Sequence, residues 1–474
     1  MAFIGRNKEL QILNSIYEQK KSALIVVSGR RRIGKSALVH EFSKRFDHFY
    51  EFQGLAPRSG MSNASQLKHF AEQTKIYFSG AEPKLSNWNE AFEHLAKELK
   101  LRNKPLLFLD EISWMARYDL EFVGKLKVAW DLYFSRIPGL VMILCGSVSA
   151  WIEEHILKEK DFVGRISHTL RIKELELKSA LNFWGIRSRQ LSIIDRLNYL
   201  SIVGAIPKYL EEFNIKESLD SNIIRLCYTR GGYLLEDFEK IFSDLFEKKS
   251  DLYKQIVRQI INSHLSPSDL AKKLKIKLNG DLSQAIKHLE LSGFIARDYV
   301  IKPSSKQSKL SKLRISDNYL RFFLKYLEPK IKQINSEIYE YQNLNSLVAW
   351  NSISGLQFEN LVLNHLSEIV SLLGIDKNGI IAASPYFQNR STKTAAVQVD
   401  LLIEAKHQSY YICEIKFKRR IGMEIIDEVK EKISKIKLPK YSSRRPVLIY
   451  AGELDDQVKD TEFFDIILNL AEVF

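Results

Sequence analysis

Gly29-Arg30-Arg31-Arg32-Ile33-Gly34-Lys35-Ser36 follows the apolar run Ala23-Leu24-Ile25-Val26-Val27 and leads into Ala37-Leu38-Val39-His40-Glu41-Phe42. An apolar strand, a glycine-bounded loop, Lys-Ser and a helical pattern form the context a phosphate-binding P-loop needs beyond its letters. Successive backbone N–H groups and a helix N-terminus make a concavity for anions. On this reading residues 29–36 cradle the phosphates of ATP. Gly29 and Gly34 allow the tight turn, Arg30, Arg31, Arg32 and Ile33 carry the backbone between them, Lys35 reaches the β- and γ-phosphates, and Ser36 ligates Mg²⁺.

Around this loop, residues 1 to about 172 alternate strand and helix patterns, which predicts an α/β fold with a parallel sheet. Asn7 to Gln19 is amphipathic, and strands are expected at Ala23–Ser28, His48–Phe52, Pro105–Leu109, Val141–Cys145 and Ser167–Ile172. The third strand runs into Asp110-Glu111, placing carboxylates at the C-terminal sheet edge where open α/β sheets bind ligands. Asp110 is expected to hold Mg²⁺, directly or through water, and Glu111 to orient the water attacking the γ-phosphate. Ser147, after the next strand, is read either as a contact to the γ-phosphate or lytic water, or as a helix N-cap. Arg165 is read either as a finger on a neighbouring subunit's nucleotide, which implies a homo-oligomer, or as an intramolecular ion pair.

These segments resemble archaeal and bacterial ATPases of the AAA-type, STAND-related superfamily. The resemblance rests on Phe3-Ile4-Gly5-Arg6-Asn7-Lys8-Glu9-Leu10, the triple-arginine P-loop, Leu109-Asp110-Glu111 and Leu144-Cys145-Gly146-Ser147-Val148-Ser149, and covers about the first half of the chain. It implies that Gly5 and Arg6 lie near the adenine. It also implies that Gly204-Ala205-Ile206-Pro207-Lys208-Tyr209-Leu210 belongs to a helical lid, although Ala205 stands where a second glycine is usual. Residues 173–250 are accordingly expected to form that lid, a closing element able to register bound nucleotide.

The chain has 474 residues and a formal charge of +14, with a pI of about 9.3. Such a balance favours polyanionic partners, DNA first and an acidic membrane surface second, although a lysine-rich proteome gives the same numbers. Cys145, Cys227 and Cys413 are far apart in sequence, which argues against a disulfide framework and suits a reducing cytosol. The start lacks a signal-peptide pattern, and the longest apolar run, Leu140 to Ile152, is too short to span a bilayer. The expectation is a soluble, cytoplasmic protein without a membrane partner.

Residues 251–328 read as a winged helix-turn-helix. Ser266-Pro267-Ser268-Asp269 starts one helix, and Leu282, Ile286 and Leu289 face inward on a candidate recognition helix that turns Ser283, Gln284, Lys287 and His288 outward. The wing loop carries Lys302, Lys306, Lys309 and Lys312 without an acid, suited to phosphates; a protein-docking spacer is the alternative. Tyr319 to Tyr326 is an aromatic helix, and a polar linker is expected from about Pro329 to Asn345.

In residues 346–474 three signals follow in order: Glu359 on a helix beside Val362, Leu363 and Leu366; Asp400 within the strand Val397 to Ile403; and Glu414-Ile415-Lys416 on the strand Tyr410 to Phe417. Alternation places Glu414 and Lys416 on one face. Two carboxylates and a main-chain carbonyl suit a hard divalent ion, so Asp400 and Glu414 are candidate metal ligands. Lys416 would position or deprotonate water, and Glu359 would assist through a bound water or a second metal. Helix Glu, strand Asp and strand Glu-x-Lys resemble the PD-(D/E)XK nuclease superfamily of Holliday-junction resolvases and restriction endonucleases, with Val399 replacing the proline of its first half. The resemblance implies a C-terminal α/β restriction-endonuclease-like domain, a fusion recognised behind AAA-type ATPases. A fold that has lost catalysis, or an exposed sheet of alternating charges, is the alternative. Lys418, Arg419, Arg420, Lys435, Lys437, Lys440, Arg444 and Arg445 are candidate phosphate grips or a solvated face.

Overall fold

Five apolar runs of the N-terminal region become strands in a computed structural model of the chain: β1 (Ala23–Ser28), β2 (Phe49–Gln53), β3 (Leu106–Asp110), β4 (Val141–Gly146) and β5 (Ile166–Arg171). Each lies within one residue of its predicted bounds. All pair in parallel in the order β2-β3-β4-β1-β5. β1, β3 and β4 are buried at every position, because helices cover both faces of a parallel sheet, and hence their apolar runs are unbroken. One core cluster gathers Phe52, Phe70, Trp88, Phe92, Phe122 and Phe134. The single buried polar group of Trp88, its indole N–H, donates to Asn63 Oδ1 at 2.8 Å.

The structure describes residues 3–78, 81–147, 149–158, 162–246, 250–301, 310–390 and 395–473. Its contacts separate two units, Met1–Lys173 and Glu174–Phe474. The segments read as lid, winged helix and nuclease-like domain all fall within the second. Among the described residues no helix is long and apolar enough to cross a membrane. Cys145, Cys227 and Cys413 are buried free thiols.

The second unit begins with helices Leu177–Leu181, Ile193–Val203, Pro207–Glu211, Leu219–Cys227 and Tyr233–Phe246. Helices Ser250–Ile260, Pro267–Lys273 and Gly280–Leu291 follow, and then the antiparallel pair β6 (Ile295–Tyr299) and β7 (Ser311–Ile315). Local chemistry fixes these starts: Ser266 accepts from Asp269 N and Asn279 from Leu282 N, each satisfying an otherwise unpaired helix donor. A second sheet closes the chain. β8 (Ile380–Gln388), β9 (Val397–Ala405) and β10 (Ser409–Ile421) form an antiparallel meander, helix Glu424–Lys435 crosses over, and β11 (Ser443–Leu454) and β12 (Ile466–Asn469) add in parallel, in the order β12-β11-β10-β9-β8.

Several expectations need correction here. The segment Pro329 to Asn345 is docked rather than a free linker. Tyr339 and Tyr341 stack on Tyr228, and Tyr341 Oη donates to Asp220 Oδ1 at 2.7 Å. His288 does not face outward unpartnered, because its Nδ1 shares a 2.8 Å hydrogen bond with Tyr253 Oη. Lys302, Lys306 and Lys309 lie outside the described residues. Lys312 lies 4.0 Å above the Phe387 ring, and burial lowers its pKa, so it is a packing cation rather than an open phosphate grip.

The β10–β11 register shifts between Phe417 and Arg420, just past the Glu-x-Lys stretch. The backbone closes in at that bulge so far that a Cβ on Gly452 (φ 133°) would lie 1.8 Å from the Lys418 carbonyl oxygen. Gly452→Ala should therefore lower stability by about 1–3 kcal/mol through forced backbone movement. A urea midpoint equal to that of the unsubstituted protein would contradict this.

Candidate functional site

At the C-terminal edge of the first sheet, β1 delivers the P-loop, β3 the acid pair and β4 Ser147. Gly29 cannot be replaced without collision, since a Cβ there would meet the Ile172 carbonyl oxygen at 2.5 Å. Arg32 (φ 71°) and Gly34 (φ 85°) turn the loop through left-handed backbone into helix Lys35–Ser43, while Ile33 is buried beneath. Lys35 Nζ donates to the carbonyls of Gly29 (3.0 Å) and Arg30 (3.1 Å), which holds the ammonium over the loop. Arg30 is buried, and the Arg31 guanidinium lies 6.0 Å from the centroid of the Trp114 ring. Arg6 donates from Nη2 to the Ile33 carbonyl at 2.9 Å, tying the N-terminal Gly-Arg segment to the same loop.

Ser36 Oγ donates to Asp110 Oδ2 at 2.8 Å, so P-loop hydroxyl and strand-end carboxylate converge. Two hard oxygen donors this close suit Mg²⁺. The other oxygen, Asp110 Oδ1, accepts from Glu111 N. Glu111 itself sits at φ 50°, a costly conformation for a non-glycine residue. Its Oε2 accepts from both Ser147 N (3.1 Å) and Ser147 Oγ (2.9 Å). Ser147 thus acts on the carboxylate expected to orient water. Arg165 makes a two-pronged pair with Asp131, Nε to Oδ1 at 2.6 Å and Nη2 to Oδ2 at 2.8 Å, the intramolecular alternative of the two.

In the second unit, Glu359, Asp400, Glu414 and Lys416 border one cavity of about 1230 Å³. Helix Trp350–Asn364 supplies Glu359, β9 Asp400, and β10 both Glu414 and Lys416. Asp400 Oδ2 accepts from Ile415 N at 2.9 Å across the strand pair. Lys416 Nζ lies 2.7 Å from Glu414 Oε1. Among the described residues no group of three or more His, Cys, Asp or Glu side chains could hold a metal ion. Asp400 and Glu414, the two acids expected to ligate a metal, both line the cavity, as does Glu359. Hard carboxylate oxygens of this kind fit a divalent ion that keeps several waters.

Sequence reasoning missed two members of this cluster, both on helix Glu424–Lys435. Lys432 Nζ contacts Glu414 at 2.8 Å (Oε1) and 2.6 Å (Oε2), and Glu428 Oε1 accepts from Lys416 at 2.8 Å. Their signal was present: Glu428 and Lys432 stand four apart beside the buried Ile425 and Val429. The candidate phosphate grips divide. Lys418 and Arg419 are exposed at the cavity rim, whereas Arg420 pairs with Asp455, Lys435 with Glu431, and Arg445 lies over Tyr411.

The electrostatics of the acids yield a pH prediction. Burial, then the Glu359 charge, raises Asp400 to about 6. Burial, then Asp400, pushes Glu414 up to about 7 against the pull of Lys432 and Lys416. Burial raises Glu359 to about 7 despite Arg314 and Arg321. An acid whose folded pKa is raised binds its proton more tightly folded than unfolded. Its contribution is complete below the unfolded value near ~4 and is lost as pH rises through the folded value. In chelator-treated protein, Asp400→Asn should therefore flatten the loss of stability between about pH 4 and pH 6. Denaturant midpoints across that window check it; a slope unchanged from the unsubstituted protein would count against the assignment.

Comparison with known proteins bears on the fold of the first unit. Residues 3–213 match a family described as an ATPase domain predominantly from Archaea. An uncharacterised protein of Methanocaldococcus jannaschii is 25% identical over 369 residues, 77% of this chain and 78% of that one. The Walker-type ATPase structure from Pyrococcus abyssi shares the fold at a TM-score of 0.50 and 16% identity, covering 68% of this chain and 96% of that chain. The Aeropyrum pernix ORC2 protein gives a TM-score of 0.42 at 14% identity, over 71% and 96% of the two chains. With its five-stranded parallel sheet, its P-loop and the acid pair ending β3, the N-terminal unit has the fold of a P-loop ATPase, and residues 3–213 are similar to an archaeal ATPase family.

Proposed function

We propose that this is an ATP-hydrolysing switch whose nucleotide state governs a metal-dependent, nuclease-like centre acting on DNA. The observation that carries the second half is the meeting of Glu359, Asp400, Glu414 and Lys416 on one cavity from three elements distant in sequence. The helix, antiparallel meander, crossover helix and parallel strand around these acids support an α/β domain of that kind. The three helices and hairpin of residues 250–315 support a winged helix, on which Ser283 and Gln284 are exposed for a groove or a protein partner.

In the first unit, residues 29–36 would bind the phosphates of ATP, with Lys35 neutralising the outer ones and Ser36 and Asp110 holding Mg²⁺. Glu111 would orient the attacking water once the Ser147 contacts release it or share it. In the second, Asp400 and Glu414 would hold a divalent ion, which when bound polarises a phosphodiester and acidifies water. Lys416, held as an ammonium between Glu414 and Glu428, would position that water rather than take its proton. Lys418 and Arg419 would hold flanking phosphates. A homo-oligomer is part of this reading only through surfaces other than Arg165, which is engaged by Asp131.

A second reading has its own support. Glu414 is already neutralised by two ammonium groups, as expected of a scaffold that binds DNA or protein without cutting. One set of assays separates the two. The protein is incubated with plasmid, branched and single-stranded DNA and Mg²⁺ or Mn²⁺, with and without ATP. Cleavage that disappears in Asp400→Ala and Lys416→Ala supports the nuclease; binding without cleavage on every substrate favours the switch alone. Lys35→Ala should abolish ATP turnover, and Glu111→Gln should slow it by about 10²–10⁴ while nucleotide still binds. Retained turnover in either variant would displace the active site from this loop.

A further inference from the structure

Lys432 lies outside the Glu-x-Lys pattern, yet it makes the closest approach to Glu414. Its Nζ spans both carboxylate oxygens, at 2.8 and 2.6 Å, and Glu414 is only 2% exposed. Lys416 approaches Oε1 of that carboxylate at 2.7 Å and has a second acceptor in Glu428. A carboxylate ligates a metal with the same lone pairs that accept from an ammonium. Two cations on one carboxylate at hydrogen-bond distance repel strongly where water is scarce. A divalent ion on Glu414 therefore competes with Lys432 directly.

The geometry also offers the displaced ammonium a place to go. Glu428 is one turn away on the same helix, with Oε1 at 3.4 Å from Lys432 Nζ. It is more open to solvent than Glu414, so a move there costs little desolvation. We infer that Lys432 is a built-in counter-cation that holds the acidic site until a divalent ion displaces it from Glu414 toward Glu428. Lys432 is thus a positioning residue that sets metal affinity rather than one that touches the reacting atoms. This inference rests on the metal-centre reading above.

The test measures Mn²⁺ binding by the electron paramagnetic signal of the free ion, on full-length protein without nucleotide, with Asp400→Asn as baseline. Lys432→Met should bind Mn²⁺ at least about tenfold more tightly than the unsubstituted protein, whereas Lys432→Arg, which keeps the charge, should stay within about threefold of it. Glu428→Gln, which removes the landing site, should weaken binding and gives a second arm if Lys432→Met does not fold. Equal or weaker binding in Lys432→Met, or unchanged binding in Glu428→Gln, overturns the counter-cation role while leaving the metal centre intact. If the unsubstituted protein binds no more Mn²⁺ than Asp400→Asn, the metal-centre reading and the inference fall together.

Discussion

Helix Trp350–Asn364 is buried on nearly all sides although it carries Gln357, Glu359 and Asn360, and the second unit depends on meeting the polar demands of that burial. A buried amide left unpaired costs about 1–3 kcal/mol, so each must find a partner. Gln357 donates to the Asn318 carbonyl and accepts from Arg321 Nη1. Asn360 donates to the Ile315 carbonyl and accepts from Arg314 Nη1 at 2.6 Å. Asn318 in turn donates to the carbonyls of Leu200 and Gln357. One seam of amides and guanidinia therefore stitches the lid helix, the end of the hairpin and the helix bearing Glu359. Further along, His365 reaches the Leu175 carbonyl, and Glu368 accepts from Leu177 N and Lys178 N. The three modules read in residues 174–474 lie in one compact unit, and this polar seam runs through all three.

The two candidate sites balance buried charge differently. In the first unit the acids meet neutral donors: Asp110 is met by a hydroxyl and a backbone N–H, and Glu111 by Ser147. Such partners yield readily to a cation or a water. In the second unit, Glu414 is met by ammonium groups and Glu359 feels two nearby guanidinia. Removing one member of a buried ion pair strands its partner, so this site resists change more than the first. Burial also lowers Arg321 to about 10, a sign of how dry this seam is.

How much of this the sequence showed follows from the range of the interactions. Strands of a doubly covered parallel sheet read as unbroken apolar runs, so β1 was legible to the residue and the others nearly so. The P-loop and the Asp110-Glu111 pair are local patterns at fixed offsets. Glu414 and Lys416 were legible because alternation alone puts them on one face. Lys432 was not, because only the crossover of its helix onto β10 brings it near Glu414. Nor did polarity between Pro329 and Asn345 separate a linker from a docked strap; Tyr341 finding Asp220, 121 residues away in sequence, decides that. The amide seam was least visible, since Gln357 and Asn360 look like a solvated helix face until their partners are known.

That seam bears on how a nucleotide signal would reach the acidic site. Any motion of helix Ile193–Val203 that displaces the Leu200 carbonyl acts first on Asn318, and through it on Gln357 and Asn360, the residues flanking Glu359 along the helix. Breaking that sequence of bonds strands buried amides, so the seam favours discrete arrangements over gradual drift. A contiguous path alone does not make a switch, because coupling needs a second arrangement that both ends prefer. Lys432 supplies a candidate for one end: its inferred move from Glu414 toward Glu428 would be a two-position element beside Asp400. On the proposed reading, control of the acidic site would rest on whether moving Glu359, whose charge raises the Asp400 pKa, shifts Lys432.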